Sequence, residues 1–112
     1  MRKKVAYKEY KTALKPIRRV KTRAGTAFIF QTVIQAGLFQ RSLNLRGVVN
    51  SSSRVFVSIT EIGLIGGTLK PFQGSATMTV HNVVPQDDGI VLVRGNTGWN
   101  SPLNVRLSVV VF

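Results

Sequence analysis

The sequence predicts an all-β chain, an antiparallel β-sandwich of jelly-roll or immunoglobulin-like type with six to eight strands and a basic N-terminal arm. Three observations predict it. Residues 103–112 alternate apolar and polar, the period of a half-buried strand. From Gly25 onward, short runs rich in Val, Ile, Phe and Thr are separated by clusters of Gly, Pro, Asn and Ser. Charge is segregated as well: residues 1–24 hold ten of the sixteen Lys and Arg with Glu9 as their one acid, whereas residues 25–112 carry only +3 of the formal +12.

A chain of 112 residues builds one core and no more, so residues 1–24 read as an arm and residues 25–112 as the sandwich domain. Basic disordered proteins do not reach a hydrophobic fraction of 44%, which excludes that class for the body. With no cysteine, neither a disulfide framework nor a thiolate-bound metal is available, and stability rests on packing. No apolar run approaches the ~20 residues that span a bilayer. The N-terminus has the positive end of a secretory signal but no apolar stretch behind it, and a mitochondrial presequence is disfavoured because residues 1–24 contain no serine. The compartment is not named by the sequence; a virion or an extracellular assembly fits it.

Within the arm, Lys3, Tyr7, Tyr10 and Leu14 recur at helical spacing, which predicts a short helix over residues 3–15 that stops at Pro16. So short a helix is marginal in water and orders only against a surface. Residues 26–34 read as a strand apolar on both faces, with Ala27, Ile29, Gln31 and Val33 opposite Phe28, Phe30, Thr32 and Ile34. Residues 40–49 form a one-sided strand with Leu43, Leu45 and Gly47 inward; a turn at residues 50–53 follows. Val55, Val57 and Ile59 face inward from residues 54–59, opposite Arg54, Phe56 and Ser58.

Gly63, Gly66 and Gly67 predict a bend or bulge within residues 61–68 or an additional strand, and residues 70–74 a turn. Residues 75–84 direct Ala76, Met78 and Val80 inward, residues 85–89 close a hairpin, and residues 90–94 return. After a loop at residues 95–102, the last strand puts Leu103, Val105, Leu107, Val109 and Val111 inward and Asn104, Arg106 and Ser108 outward; Val110 and Phe112 interrupt the polar face. Such a sandwich has exposed strand edges, and with proline absent from strand interiors and lysine scarce in the body they read as poorly defended, which favours association. A closed OB-type barrel is the second fold considered.

Chemistry is sparse. The body holds three acids and His81, and no catalytic set, cofactor motif or metal cluster emerges from them. His81 reads as a surface strand residue; Asp87 and Asp88 read as turn formers beside Gly89, not as a calcium site, which wants six or more oxygens. Residues 63–70 lack the Gly-Lys-Ser/Thr order of a phosphate loop, and the sequon at Asn50 means little without secretion. Trp99 and Asn100 form a candidate ligand loop for a sugar or a base, although an indole that closes the end of the core is the favoured reading.

The arm carries the strongest functional signal: Arg2, Lys3, Lys4, Lys8, Lys11, Lys15, Arg18, Arg19, Lys21 and Arg23 suit a polyanion, with Tyr7 and Tyr10 placed to stack on bases. The same arm suits a tether to a neighbouring subunit. Phe28, Phe30, Val110 and Phe112 are the candidate assembly surface. A basic arm on a small β-sandwich resembles the layout of many viral coat subunits and some bacterial surface-fibre subunits, and this layout implies assembly. The expected function is therefore a non-enzymatic, self-assembling structural subunit, a small coat or filament protein that forms homo-oligomers and contacts neighbours or enclosed nucleic acid through its arm. The alternatives are a non-assembling nucleic-acid-binding domain and a carbohydrate-binding sandwich that uses Trp99.

Overall fold

A computed structural model describes residues 13–112. The described residues form eight strands: β1 (Arg18–Lys21), β2 (Thr26–Ile34), β3 (Leu38–Asn44), β4 (Val55–Ile65), β5 (Thr68–Pro71), β6 (Thr79–Pro85), β7 (Ile90–Asn96) and β8 (Leu103–Val111). They build a five-stranded sheet of order β1-β2-β8-β4-β5 and a three-stranded sheet of order β3-β7-β6, antiparallel throughout, an arrangement compatible with a β-sandwich.

The last strand is the centre of the larger sheet. β8 pairs with β2 from Thr26↔Val111 to Ile34↔Leu103 and with β4 from Val55↔Val111 to Glu61↔Val105. Its alternation holds: Val105, Leu107, Val109 and Val111 are buried and Leu103 is half-buried against the core, while Asn104 is exposed. Register then sets the phase of its neighbours. Because Phe28 sits opposite Val109 and Phe30 opposite Leu107, both phenylalanines point inward with them. They meet Phe39 and Leu43 of β3 and Val91 and Val93 of β7 in one core cluster, where each fully buried side chain contributes about 1.5–3 kcal/mol.

The core-facing row of β3 also contains a charge. Arg41, between Phe39 and Leu43 in phase, is 2% exposed. Its guanidinium donates to the Gln40 carbonyl (3.1 Å), the Val33 carbonyl (2.9 Å) and Gln35 Oε1 (3.1 Å), which offsets the cost of taking it out of water. The same end of the molecule is closed by Thr97, fully buried, which exchanges bonds with Gly37: the Thr97 amide donates to the Gly37 carbonyl (3.0 Å) and the Gly37 amide to Thr97 Oγ1 (3.0 Å).

Several expectations are corrected. Of the readings of residues 61–68, the bend and the additional strand hold and the bulge does not: β4 runs on to Ile65, turns through Gly66 and Gly67 at φ +60° and +82°, and returns as β5. Two consecutive left-handed residues are what a tight hairpin turn requires, and glycine meets that at no steric cost. Gly47, expected inward, is exposed in the turn that follows Leu45, and the strand predicted over residues 75–78 is an extended loop preceding β6. The boundary expected at residue 24 falls inside the folded unit, since β1 is a strand of the larger sheet.

The edges are defended after all. β1 presents Arg18, Arg19 and Lys21, all exposed. β5 is only four residues long and carries Lys70 and Pro71. β6 has an irregularity at His81, between Val80 and Asn82. β3 is partly covered by a parallel bridge from Leu14, whose amide donates to the Ser42 carbonyl (2.8 Å) and whose carbonyl accepts from the Asn44 amide (2.8 Å). Charge, shortness, a bulge and a cover are the standard ways to stop edge-to-edge pairing.

Candidate assembly face and basic edge

Of the arm residues singled out from the sequence, Arg2, Lys3, Lys4, Tyr7, Lys8, Tyr10 and Lys11 lie outside the described residues, as does most of the helix expected over residues 3–15. The described part of the arm is extended and tied down at two places. Leu14 bridges β3, the Ile17 amide donates to the Ile29 carbonyl (2.7 Å), and β1 pairs with β2 from Arg18↔Ile29 to Lys21↔Thr26. Pro16 prevents helix at Lys15 and so favours this extended path. Lys15, Arg18, Arg19, Lys21 and Arg23 are all exposed, five cations within nine residues with no acid among them. Arg19 also lies over the Phe28 ring, 5.7 Å from its centroid.

The candidate assembly surface divides. Phe28 (3% exposed) and Phe30 (fully buried) are core residues, so their assignment to an outer surface is corrected. Val110 and Phe112 stand on the opposite, open face of the larger sheet, and the register assembles partners for them that sequence reading did not group. Val20 pairs with Ala27, Ala27 with Val110, and Val110 with Phe56, an apolar row across β1, β2, β8 and β4. Phe112 extends it, edge-to-face with Phe56 at 5.9 Å between centroids. Phe56 is 61% exposed, Phe112 54% and Val20 40%. The sequence did hold one signal: Phe56 and Val110 are each an apolar residue on an otherwise polar strand face.

Away from this row the open face turns polar. Ile29 is followed across the sheet by Ser108 and Ser58, and Gln31 by Arg106 and Thr60. Arg106 Nε is buried there without a hydrogen-bond partner among the described residues.

Trp99 does not close the core; it is 41% exposed, beside Asn96, Gly98 and Asn100, and Thr97 fills the closing role. His81 is exposed, with its Nε2 3.0 Å from Thr79 Oγ1. Asp87 and Asp88 act as turn acceptors, taking bonds from the Ser51 amide (2.9 Å) and the Ile90 amide (2.9 Å). Hydrogen bonding from Ser51 holds the Asp87 carboxyl below its ordinary value. Among the described residues there is no group of three or more His, Cys, Asp or Glu side chains that could hold a metal ion, and no helix is long and apolar enough to cross a membrane.

Comparison with known proteins adds no family to this description: no family model, curated protein or solved structure matches the chain.

Proposed function

We propose that the chain is a self-assembling structural subunit, a small coat or filament protein with a jelly-roll-like body. Its bodies associate through the open face of the five-stranded sheet, and its basic arm contacts a neighbour or an enclosed nucleic acid. The observation that carries the reading is the apolar row Val20–Ala27–Val110–Phe56 with Phe112 beside it. Burial of such a patch against another copy removes apolar surface from water, whereas a scattering of single apolar residues would need no explanation. Contact through this face is favoured over edge pairing because each edge is guarded. The path of the chain, with β2 followed by β3 in the other sheet and β7 followed by β8 in the other, is in keeping with the layout of coat domains.

Copies that each carry +12 repel one another, so assembly at low salt needs a counter-charge. An enclosed nucleic acid supplies it, and the exposed cations along β1 favour this as part of the same reading. Sedimentation velocity and negative-stain microscopy of the full chain, with and without nucleic acid, are the test. Concentration-dependent particles or filaments are expected; a monomer that persists at high concentration in both conditions overturns the proposal. With Arg18, Arg19, Lys21 and Arg23 changed together to Gln, the log–log salt slope of nucleic-acid binding falls by about 3–4.

A further inference from the structure

Two flanks of the body differ in a way the assembly reading leaves unexplained. On one flank the arm joins the sheets, at β3 through Leu14 and at β2 through β1. On the other, β4 lies against β6, the pair through which the two sheets meet. A groove of about 560 Å³ opens there between β4 and the loop at residues 72–78. Among the residues that line it, Glu61 is the sole charged one, with Ile59, Phe72 and Met78 as its apolar wall and Ser75 and Thr77 as hydroxyl donors.

The carboxylate of Glu61 lies directly against Gly74, in the space a Cβ there would take. Of the three described acids, Asp87 and Asp88 accept backbone hydrogen bonds, whereas the Glu61 side chain makes no hydrogen bond or ion pair among the described residues. A half-buried carboxylate unpaired among the described residues, in a chain of net charge +12, is an unused acceptor for a cation.

Resting on the assembly reading, we infer that this groove receives a lysine or arginine of the N-terminal arm of a second copy, its alkyl stem along Ile59, Phe72 and Met78 and its charged head at Glu61. The chemistry fits because those side chains carry a long apolar stem and a terminal cation, matching an apolar wall that ends in one carboxylate. Reach fits as well. Twelve residues precede Ala13, enough at roughly 3.3 Å each to reach at most about 40 Å, against body dimensions of 40 × 37 × 21 Å. Donor and acceptor lie on opposite flanks, so the contact joins two different patches: it closes reciprocally when two copies pair through their open faces, or repeats head-to-tail from copy to copy as a ring or filament.

The test uses full-length chains, one half isotopically heavy and the other light, mixed under assembling conditions and treated with a carbodiimide that joins carboxylates to lysines in contact. Mass spectrometry is expected to find Glu61 linked to an arm lysine in heavy–light pairs. Links at Glu61 confined to single-isotope pairs, which mean that each arm fills its own groove, overturn the inference, as do links found only at Asp87 and Asp88. The isosteric change Glu61→Gln removes the charge and keeps the shape, and is expected to weaken association by about 5- to 10-fold. Assembly unchanged in Glu61→Gln overturns this docking and leaves the assembly reading standing; a chain that is monomeric in every condition overturns both.

Discussion

Along β2 the two faces of the larger sheet are built from similar residues and have opposite fates. β2 offers Phe28 and Phe30 to one side and Ala27 and Ile29 to the other; the first pair is sealed in the core and the second lies half-buried on an open face. The same holds on β8, where Val109 is fully buried and Val110, its neighbour, is half-exposed. Along β2, where both faces are apolar, composition therefore does not decide which side is interior. What decides is the second layer: only the face that meets β3, β7 and β6 is withdrawn from water.

Substitutions on the two faces sharpen or break that contrast. The largest effect is expected from Phe30→Ala, which empties a fully buried site and costs about 3–5 kcal/mol in urea unfolding. If Phe30→Ala costs no more than Phe56→Ala, the assignment of faces is wrong. Next comes Arg41→Met, which keeps the packing but removes the donor to the Val33 and Gln40 carbonyls and to Gln35 Oε1, with an expected loss of about 1–3 kcal/mol in the same measurement. A neutral result would show that water reaches those oxygens.

Smaller again is the stability cost of changing Phe56 and Phe112 together to Ser, within about 1 kcal/mol because both are more than half exposed. Its sedimentation coefficient at high concentration is nonetheless expected to drop toward that of a monomer. Unchanged sedimentation would move the contact off this face. The smallest effect lies at the turns, away from both faces. Because Ser51 lowers the Asp87 value in the folded state, its contribution to stability is present above the ordinary value of 3.8 and is lost as pH falls through the depressed folded value. Thermal melts between pH 5 and 2 should therefore show a slightly shallower acid decline for Asp87→Asn than for the parent chain, a pH range chosen about the ordinary carboxylate value.

Much of this was legible before any coordinates, and the rest was hidden for definite reasons. The alternation of residues 103–111 named the inward set of β8 correctly because one of its faces is polar enough to break the tie. β2 has no such asymmetry, and its phase is set by pairing with β8, a contact about 80 residues away in sequence that local pattern cannot register. β1 was hidden because its sequence, Arg-Arg-Val-Lys, has no strand periodicity; it is held by backbone bonds to β2. Glycines at 63, 66 and 67 were recognised as punctuation, yet only the adjacent pair turns the chain.

Arg41 follows from the inward phase of Leu43, two residues on, but an arginine in a core row makes sense only once the carbonyls that receive it are in place. The open-face row was half legible. Val110 and Phe112 stood out on their own strand, whereas Val20 and Ala27 joined them only through register.

One feature reaches further than its size suggests. The segment from Leu14 to Lys21 is a strap fastened to both layers, by a bridge to β3 and a ladder to β2. To peel it away would bare backbone on both layers in a single event, and its cations Lys15, Arg18, Arg19 and Lys21 are among those the proposal offers to a polyanion. On that proposal the same few residues serve binding and closure, so the guard on these edges is only as firm as the strap's preference for its own body.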